Sequence, residues 1–214
     1  MARPLAADHD DKRRAILKAS AVLFARNGFD RTSTAEIAAA CGVSKALLYH
    51  YFDTKEQVLV AIIRQHLDDV VAAVAEADDV LLPPRERLRA LIAAVLDAYR
   101  DADCEHKIQI NELARLDAET SAELIEIERV LVRGFSAALV IALPRLKDAP
   151  EAIKPVTMTV FGMLNWNYMW FRDDGPVSRA QYSDMVTDLI IGGAEQAVDQ
   201  YSATRAGRPR IRPL

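Results

Sequence analysis

The sequence predicts an all-α fold of nine helices, and three observations carry that prediction. Ala, Leu, Glu, Asp and Arg dominate the 214 residues, while Gly and Pro number only 8 and 9. That composition favours helix. Apolar residues recur at helical spacing, and β-branched runs with period-two alternation are scarce. Hydrophobic residues make up 51% of the chain, enough for a sizeable core and too many for disorder.

Each helix has its own boundary signals. The first is expected over residues 10–27, with Ile16, Ala19, Leu23 and Phe24 on one face and Gly28 as a left-handed C-cap. The second covers 34–40, opened by the capping cluster Thr32-Ser33-Thr34 and broken at Cys41-Gly42-Val43. Ser44 caps the third, which runs through 51. Thr54 and Gln57 stand at capping-box spacing and start a long fourth helix to residue 79. Pro83-Pro84 ends that run; the fifth, sixth and seventh helices follow over 84–102, 105–115 and 120–143. Pro144 and Pro150 bracket a loop, and the eighth helix spans 151–172, with Pro155 tolerated near its start. Asp173-Asp174-Gly175-Pro176 is a strong break, after which Ser178 and Gln181 open a ninth helix to residue 201.

The net charge of −4 hides an uneven distribution. Residues 1–55 hold nine Lys and Arg against six Asp and Glu, and residues 56–201 hold 14 against 25. The tail 202–214 has Arg205, Arg208, Arg210 and Arg212, no acid, and is expected to be mobile. A basic head on an acidic body suits one nucleic-acid-facing surface. No apolar stretch of about 18 residues suggests a membrane span. The start, MARPLAADHDDKRR, lacks the apolar core of a signal peptide. Cys41 and Cys104 suit a reducing compartment, so a cytoplasmic location is expected.

Catalytic and metal motifs are missing: there is no phosphate-binding Gly-rich loop, no HExxH and no GxSxG. Cys104 and His106 point to different sides of a helix, so neither a metal site nor a cofactor is expected. His66 and His106 are expected to be solvated or satisfied by neighbours. The chain is not expected to be an enzyme.

The informative segment is TSTAEIAAACGVSKALLYHYFDTKEQVL, residues 32–59. Two short helices flank a tight turn containing Gly42, and Ile37, Val43, Leu48 and Phe52 are spaced to pack both onto the first helix. Ser44, Lys45, Ala46, Leu47, Tyr49 and His50 are then left on or near the free face of the second. A helix presented in this way fits a DNA major groove. Lys45 and His50 supply donors, Tyr49 a hydroxyl for phosphate, and Ala46 or Leu47 an apolar contact for a thymine methyl. Thr34 stands at the start of the preceding helix. Lys55, in the first turn of the next, is within reach of a phosphate. Periodicity alone does not separate this arrangement from an ordinary helical hairpin of a bundle.

The run Ile37-Ala38, Gly42-Val43-Ser44-Lys45-Ala46-Leu47-Leu48-Tyr49-His50-Tyr51-Phe52 and Lys55-Glu56 resembles the DNA-binding signature of the tetracycline-repressor (TetR) family. It follows one N-terminal helix that closes with Phe24-Ala25-Arg26-Asn27-Gly28-Phe29, as in that family. Ala46 is a departure, since many members carry glycine there. The resemblance implies a helix-turn-helix DNA-binding domain over 1–53 and a ligand-binding and dimerisation domain over 54–201. It implies a homodimer on double-stranded operator DNA, and repression relieved by a small effector.

The segment VTMTVFGMLNWNYMWFRDDG, residues 156–175, carries Phe161, Trp166, Tyr168, Trp170 and Phe171. A helix apolar nearly all round is expected to be buried on more than one side. The ninth helix offers Met185, Val186, Leu189, Ile190, Gly193 and Ala197 as one stripe. In the resembling family the last two helices pair across a twofold axis; burial within one subunit is the alternative. Candidate ligand-lining residues are Ile92, Leu96, Tyr99, Ile108, Asn111, Arg115, Ile125, Arg129, Val132, Phe161, Asn165, Trp166 and Met169, an apolar set with a few polar groups. Each of them also fits plain core. Trp166, Trp170-Phe171-Arg172 and Gly175-Pro176-Val177-Ser178 resemble a subgroup that responds to acyl-CoA thioesters, with Arg115, Arg129 and Arg172 as cations for the phosphates. An efflux regulator sensing lipophilic drugs and a ligand-independent DNA binder stay open as alternatives.

Overall fold

Nine α-helices make up the fold among the described residues, and no strand occurs there. The computed structural model describes residues 3–206, with side chains over 9–200. The helices are α1 (Arg3–Asn27), α2 (Thr34–Ala40), α3 (Lys45–Tyr51), α4 (Lys55–Ala77), α5 (Pro84–Ala98), α6 (Asp103–Glu112), α7 (Ala118–Ala142), α8 (Pro150–Asn165) and α9 (Arg179–Ala206). Short 3-10 turns follow α6, α7 and α8. No described helix is long and apolar enough to cross a membrane.

The chain divides into two compact units. The first comprises Met1–Asp69 with Tyr99–Glu128, the second Val70–Ala98 with Arg129–Leu214. The core of the first joins Ile16, Leu17 and Phe24 of α1 to Ile37 of α2 and Leu48 of α3. It continues through Val58, Leu59, Ile62, Ile63 and Leu67 of α4 to Ile108 and Leu124. The packing unit of the helix-turn-helix therefore includes the first part of α4, whose apolar stripe joins this core. In the second unit Leu88, Leu91, Ile92, Val95 and Leu96 of α5 are buried with Phe135, Leu139, Phe161 and Leu164. The Phe135 and Phe161 rings meet at 5.0 Å.

Caps fix most helix starts. Ser33 and Glu36 form a full capping box on α2. Ser178 and Gln181 do the same before α9, with bonds of 3.2 and 2.9 Å. At α4 the exchange is split: the Gln57 N–H donates to Thr54 Oγ1, while the Gln57 carbonyl accepts from the Asp53 N–H. Gly28 caps α1 at φ +86°, a conformation that favours glycine.

Several boundaries differ from the sequence expectation. The ninth helix continues through residues 202–206, and 207–214 of the expected mobile tail lie outside the described residues. The eighth helix stops at Asn165, not at residue 172. The chain then turns through i→i+3 bonds, Met169 N–H to the Trp166 carbonyl and Trp170 N–H to the Asn167 carbonyl. The turn lets Trp170 and Phe171 pack on Tyr182, at 5.1 and 5.9 Å. Arg179 fixes the following loop, forking onto the Asp173 carboxylate at 2.7 and 2.9 Å and donating to the Leu96 carbonyl.

Candidate nucleic-acid interface

The α2–turn–α3 segment is held by bonds that begin in its sequence. Ser33 accepts from the Glu36 N–H, and the Glu36 carboxylate accepts from the Ser33 N–H at 2.7 Å. Those bonds hold the Glu36 carboxyl below its ordinary range. Gly42 stands at φ +64°, where a side chain would strain the turn. The Val43 N–H returns to the Ala38 carbonyl at 3.0 Å. Ser44 then caps α3, accepting from the Leu47 N–H at 3.1 Å. Ile37, Leu48 and Phe52 are buried and Val43 packs against the same core, as the spacing predicts.

This packing leaves Ser44, Lys45, Ala46, Tyr49 and His50 exposed, with Leu47 half-buried beside them. Thr34 and Tyr49 are brought together across the two helices, their hydroxyls 3.2 Å apart. That bond leaves the phenol at a defined place on the free face. Lys55 is more constrained than its spacing suggests. Its ammonium donates to the Phe29 carbonyl at 2.8 Å and lies 4.3 Å from the centre of the Phe29 ring. It pins the α1–α2 connection. An ammonium has three donors; a second reaches the Asp30 carbonyl at 3.5 Å, which leaves one to face outward. α1 also reaches this surface: the His9 ring lies 4.6 Å from Tyr51 and 6.3 Å from His50.

The candidate ligand residues divide between the two units. Tyr99, Ile108, Asn111, Arg115 and Ile125 belong to the first unit, and Ile92, Leu96, Arg129, Val132, Phe161, Asn165, Trp166 and Met169 to the second. Ile92, Leu96, Ile108 and Phe161 are packed core side chains. Asn111 is exposed and bonds the Lys107 carbonyl of its own helix. Arg115 is an exposed cation already paired with Asp30 at 2.8 Å and Glu112 at 2.9 Å. Asp30 in turn is held below the ordinary carboxylate range by that guanidinium. Trp166 and Met169 are each 57% exposed. They were expected inside a buried helix; the early end of α8 turns them outward. An open cleft of about 460 Å³ lies in the first unit, lined by Arg13, Tyr51, Phe52, Glu56, Gln57, Val60, Ala61, Arg64, Asp117 and Thr120. None of the candidate ligand residues lines it.

Comparison with known proteins decides the family. Residues 16–62 match the family described as bacterial regulatory proteins, tetR family. Residues 81–194, more than half of the chain, match the tetracyclin repressor-like C-terminal domain. The chain belongs to the TetR family. A TetR-family regulator of Bordetella parapertussis is similar at 31% identity with a TM-score of 0.77, over 83% of this chain and 93% of that one. AibR, solved in complex with isovaleryl coenzyme A and operator DNA, is similar at 32% identity with a TM-score of 0.72, over 83% and 97%. The transcriptional repressor KstR2 of Mycolicibacterium smegmatis is 23% identical over 190 residues, 87% of this chain and 92% of that protein.

As a TetR-family member the chain is a DNA-binding transcriptional regulator and not an enzyme. α2 and α3 are its helix-turn-helix. Sequence reasoning missed what lies between distant segments. The roles of Lys55 as an anchor and of Thr34 as the partner of Tyr49 depend on contacts 26 and 15 residues apart. The Lys-over-Phe pair had a faint signal, since Phe29 directly follows the C-cap glycine.

The outward faces of α8 and α9 also differ from the expected single stripe. Val186, Ile190, Ala194 and Val198 point inward at intervals of four, with Ser183 and Thr187 beside them. Met185 and Leu189 form a separate row, 47% and 57% exposed, that runs on to the exposed Gly193. One residue of offset turns a side chain about 100° round a helix, which separates the two rows. Met158 and Gly162 of α8 are exposed as well.

Proposed function

We propose that this regulator is a homodimeric repressor that leaves its operator when a hydrophobic acid binds as its CoA thioester. Residues 1–53 read the DNA, and residues 54–201 bind the effector and dimerise. Lys45 meets a base edge, Ala46 or Leu47 a thymine methyl, and Tyr49 and Lys55 the phosphates, with Ser44, His50 and Thr34 at the margin of the contact. The exposed rows of α8 and α9 pair with their twofold mates. Met158, Met185 and Leu189 supply apolar area there, and Gly162 and Gly193 allow close approach.

One observation carries the effector class: similarity over most of both chains to AibR, which was solved with isovaleryl coenzyme A and operator DNA. A ligand that prefers the conformation unable to span two half-sites weakens operator binding by its differential affinity, typically about 1–3 kcal/mol. Reciprocity requires the operator to weaken ligand binding by the same factor. The test is a titration of the protein–operator complex with acyl- and aryl-CoA esters, with free acids and CoA alone as controls. Release by a thioester and by neither control supports the reading. If no thioester releases DNA or raises thermal stability, the effector class is wrong, and release by an unrelated lipophilic compound would point to drug sensing.

A further inference from the structure

The four histidines of the chain form two pairs with different surroundings. His9 and His50 are exposed beside α3. His66 of α4 and His106 of α6 are buried, at 4% and 0% exposure. Nε2 of His66 lies 3.2 Å from Nδ1 of His106. Tyr99 closes the cluster, its ring 4.1 Å from His106 and 5.6 Å from His66, and it is buried too. All three residues belong to the first unit, which carries α2 and α3.

At 3.2 Å, one ring N–H donates and the other ring nitrogen accepts through its lone pair. The accepting nitrogen must be unprotonated. One extra proton can enter the pair with the bond intact, at the cost of burying a charge. A second proton breaks the bond and brings like charges together.

Charged groups that act on the cluster or on its neighbours come from α1, α6 and α7. Lys18 of α1 pairs with Glu105 of α6 at 3.2 Å and also bonds the Asp101 carbonyl. Cys104, Asp103 and Lys107 accompany Glu105 on α6. Glu128 of α7 accepts from Gln109 at 2.7 Å and acts on Tyr99. One Glu105 oxygen, Oε2, is buried without a hydrogen-bond partner. Burial first, then the His106 ring and Lys18, push the His66 imidazole down to about 3. Burial and Glu128 push the Tyr99 phenol up, so it stays neutral.

We propose that the His66–His106 pair is a proton sensor: it holds α4 to α6 while at least one ring is neutral, and acidification unlocks the unit that carries the DNA-reading helices. In the unfolded chain both rings take up protons as pH falls through about 6.5. The folded pair accepts at most one. The unfolded state therefore binds more protons, and stability rises with pH in this window. It is full above the unfolded value and is lost progressively as pH falls towards the depressed folded value. Each withheld proton lowers the folding equilibrium about tenfold per pH unit. Nothing in this depends on the effector.

The experiment is urea unfolding of the full chain at pH 7.5, 6.5, 5.5 and 5.0, for wild type, His66→Gln and the exposed control His50→Gln. Wild type should lose folding equilibrium by about tenfold or more per unit below pH 6. His66→Gln should show a slope shallower by about one proton, because glutamine does not titrate and its carbonyl can accept from a charged His106. His50→Gln should follow wild type. An unchanged slope in His66→Gln, or a flat wild-type profile, overturns the proposal. Imidazole NMR on the wild type stands on its own should the variant not fold. Two of the four histidines should keep a neutral ring between them until the unit unfolds, whereas four rings charging together in folded protein would overturn the sensor.

Discussion

Ser33 and Glu36 exchange hydrogen bonds at the start of α2, and that local exchange satisfies backbone N–H groups at the entry to the helix-turn-helix. Replacing Ser33 by alanine removes the hydroxyl that accepts from the Glu36 N–H. The expected cost is about 1 kcal/mol in urea denaturation, with DNA affinity reduced alongside. Lys55 makes a sharper test, because its ammonium serves the Phe29 carbonyl and ring. Lys55→Met should cost about 1–2 kcal/mol of stability. If the same amine also meets a phosphate, the slope of log affinity against log salt should fall by about one unit. A loss of stability with an unchanged salt slope would assign Lys55 to anchoring alone.

At the scale of elements, α8 and α9 show where sequence patterns stop being informative. Caps and breakers are local chemistry, so the nine helices and the Ser178–Gln181 box could be read along the chain. The end of α8 could not. Residues 166–172 are apolar enough to continue a helix, and tertiary contacts, the packing of Trp170 and Phe171 on Tyr182 and of Arg179 on Phe171, favour the turn. The two rows of α9 differ by one position, which a stripe of mixed large and small residues blurs. The buried His66–His106 bond joins residues 40 apart and leaves no periodic trace. The free face that carries the candidate DNA residues was legible because a short helix capped by Ser44 and anchored by Leu48 leaves one side outward. Which buried side chains face a pocket was not, because apolar side chains line cores and pockets alike. Gly193 gives the element-scale prediction. A Cβ built there meets nothing within 4 Å, so Gly193→Glu should fold normally. It should sediment as a monomer where the wild type sediments as a dimer, and bind a palindromic operator far more weakly. A wild type that is monomeric at micromolar concentration would remove the dimer from the account.

Taken as a whole, the molecule combines a basic N-terminal segment with an acidic remainder, and the DNA-reading helices lie in the unit that holds the basic part. The central claim is that α3 grips DNA through Lys45 and Tyr49 while the rest of the fold positions it. Fluorescence anisotropy with a labelled duplex from the region upstream of the gene tests this most directly, comparing wild type with Lys45→Ala/Tyr49→Ala at fixed salt. Both side chains are exposed, so the double variant should melt at nearly the wild-type temperature. Wild-type affinity for this duplex should be about a thousandfold or more above that for a scrambled one, with at least a tenfold loss in the double variant. Equal binding of both duplexes by the wild type, or undiminished binding by the variant, would contradict the central claim.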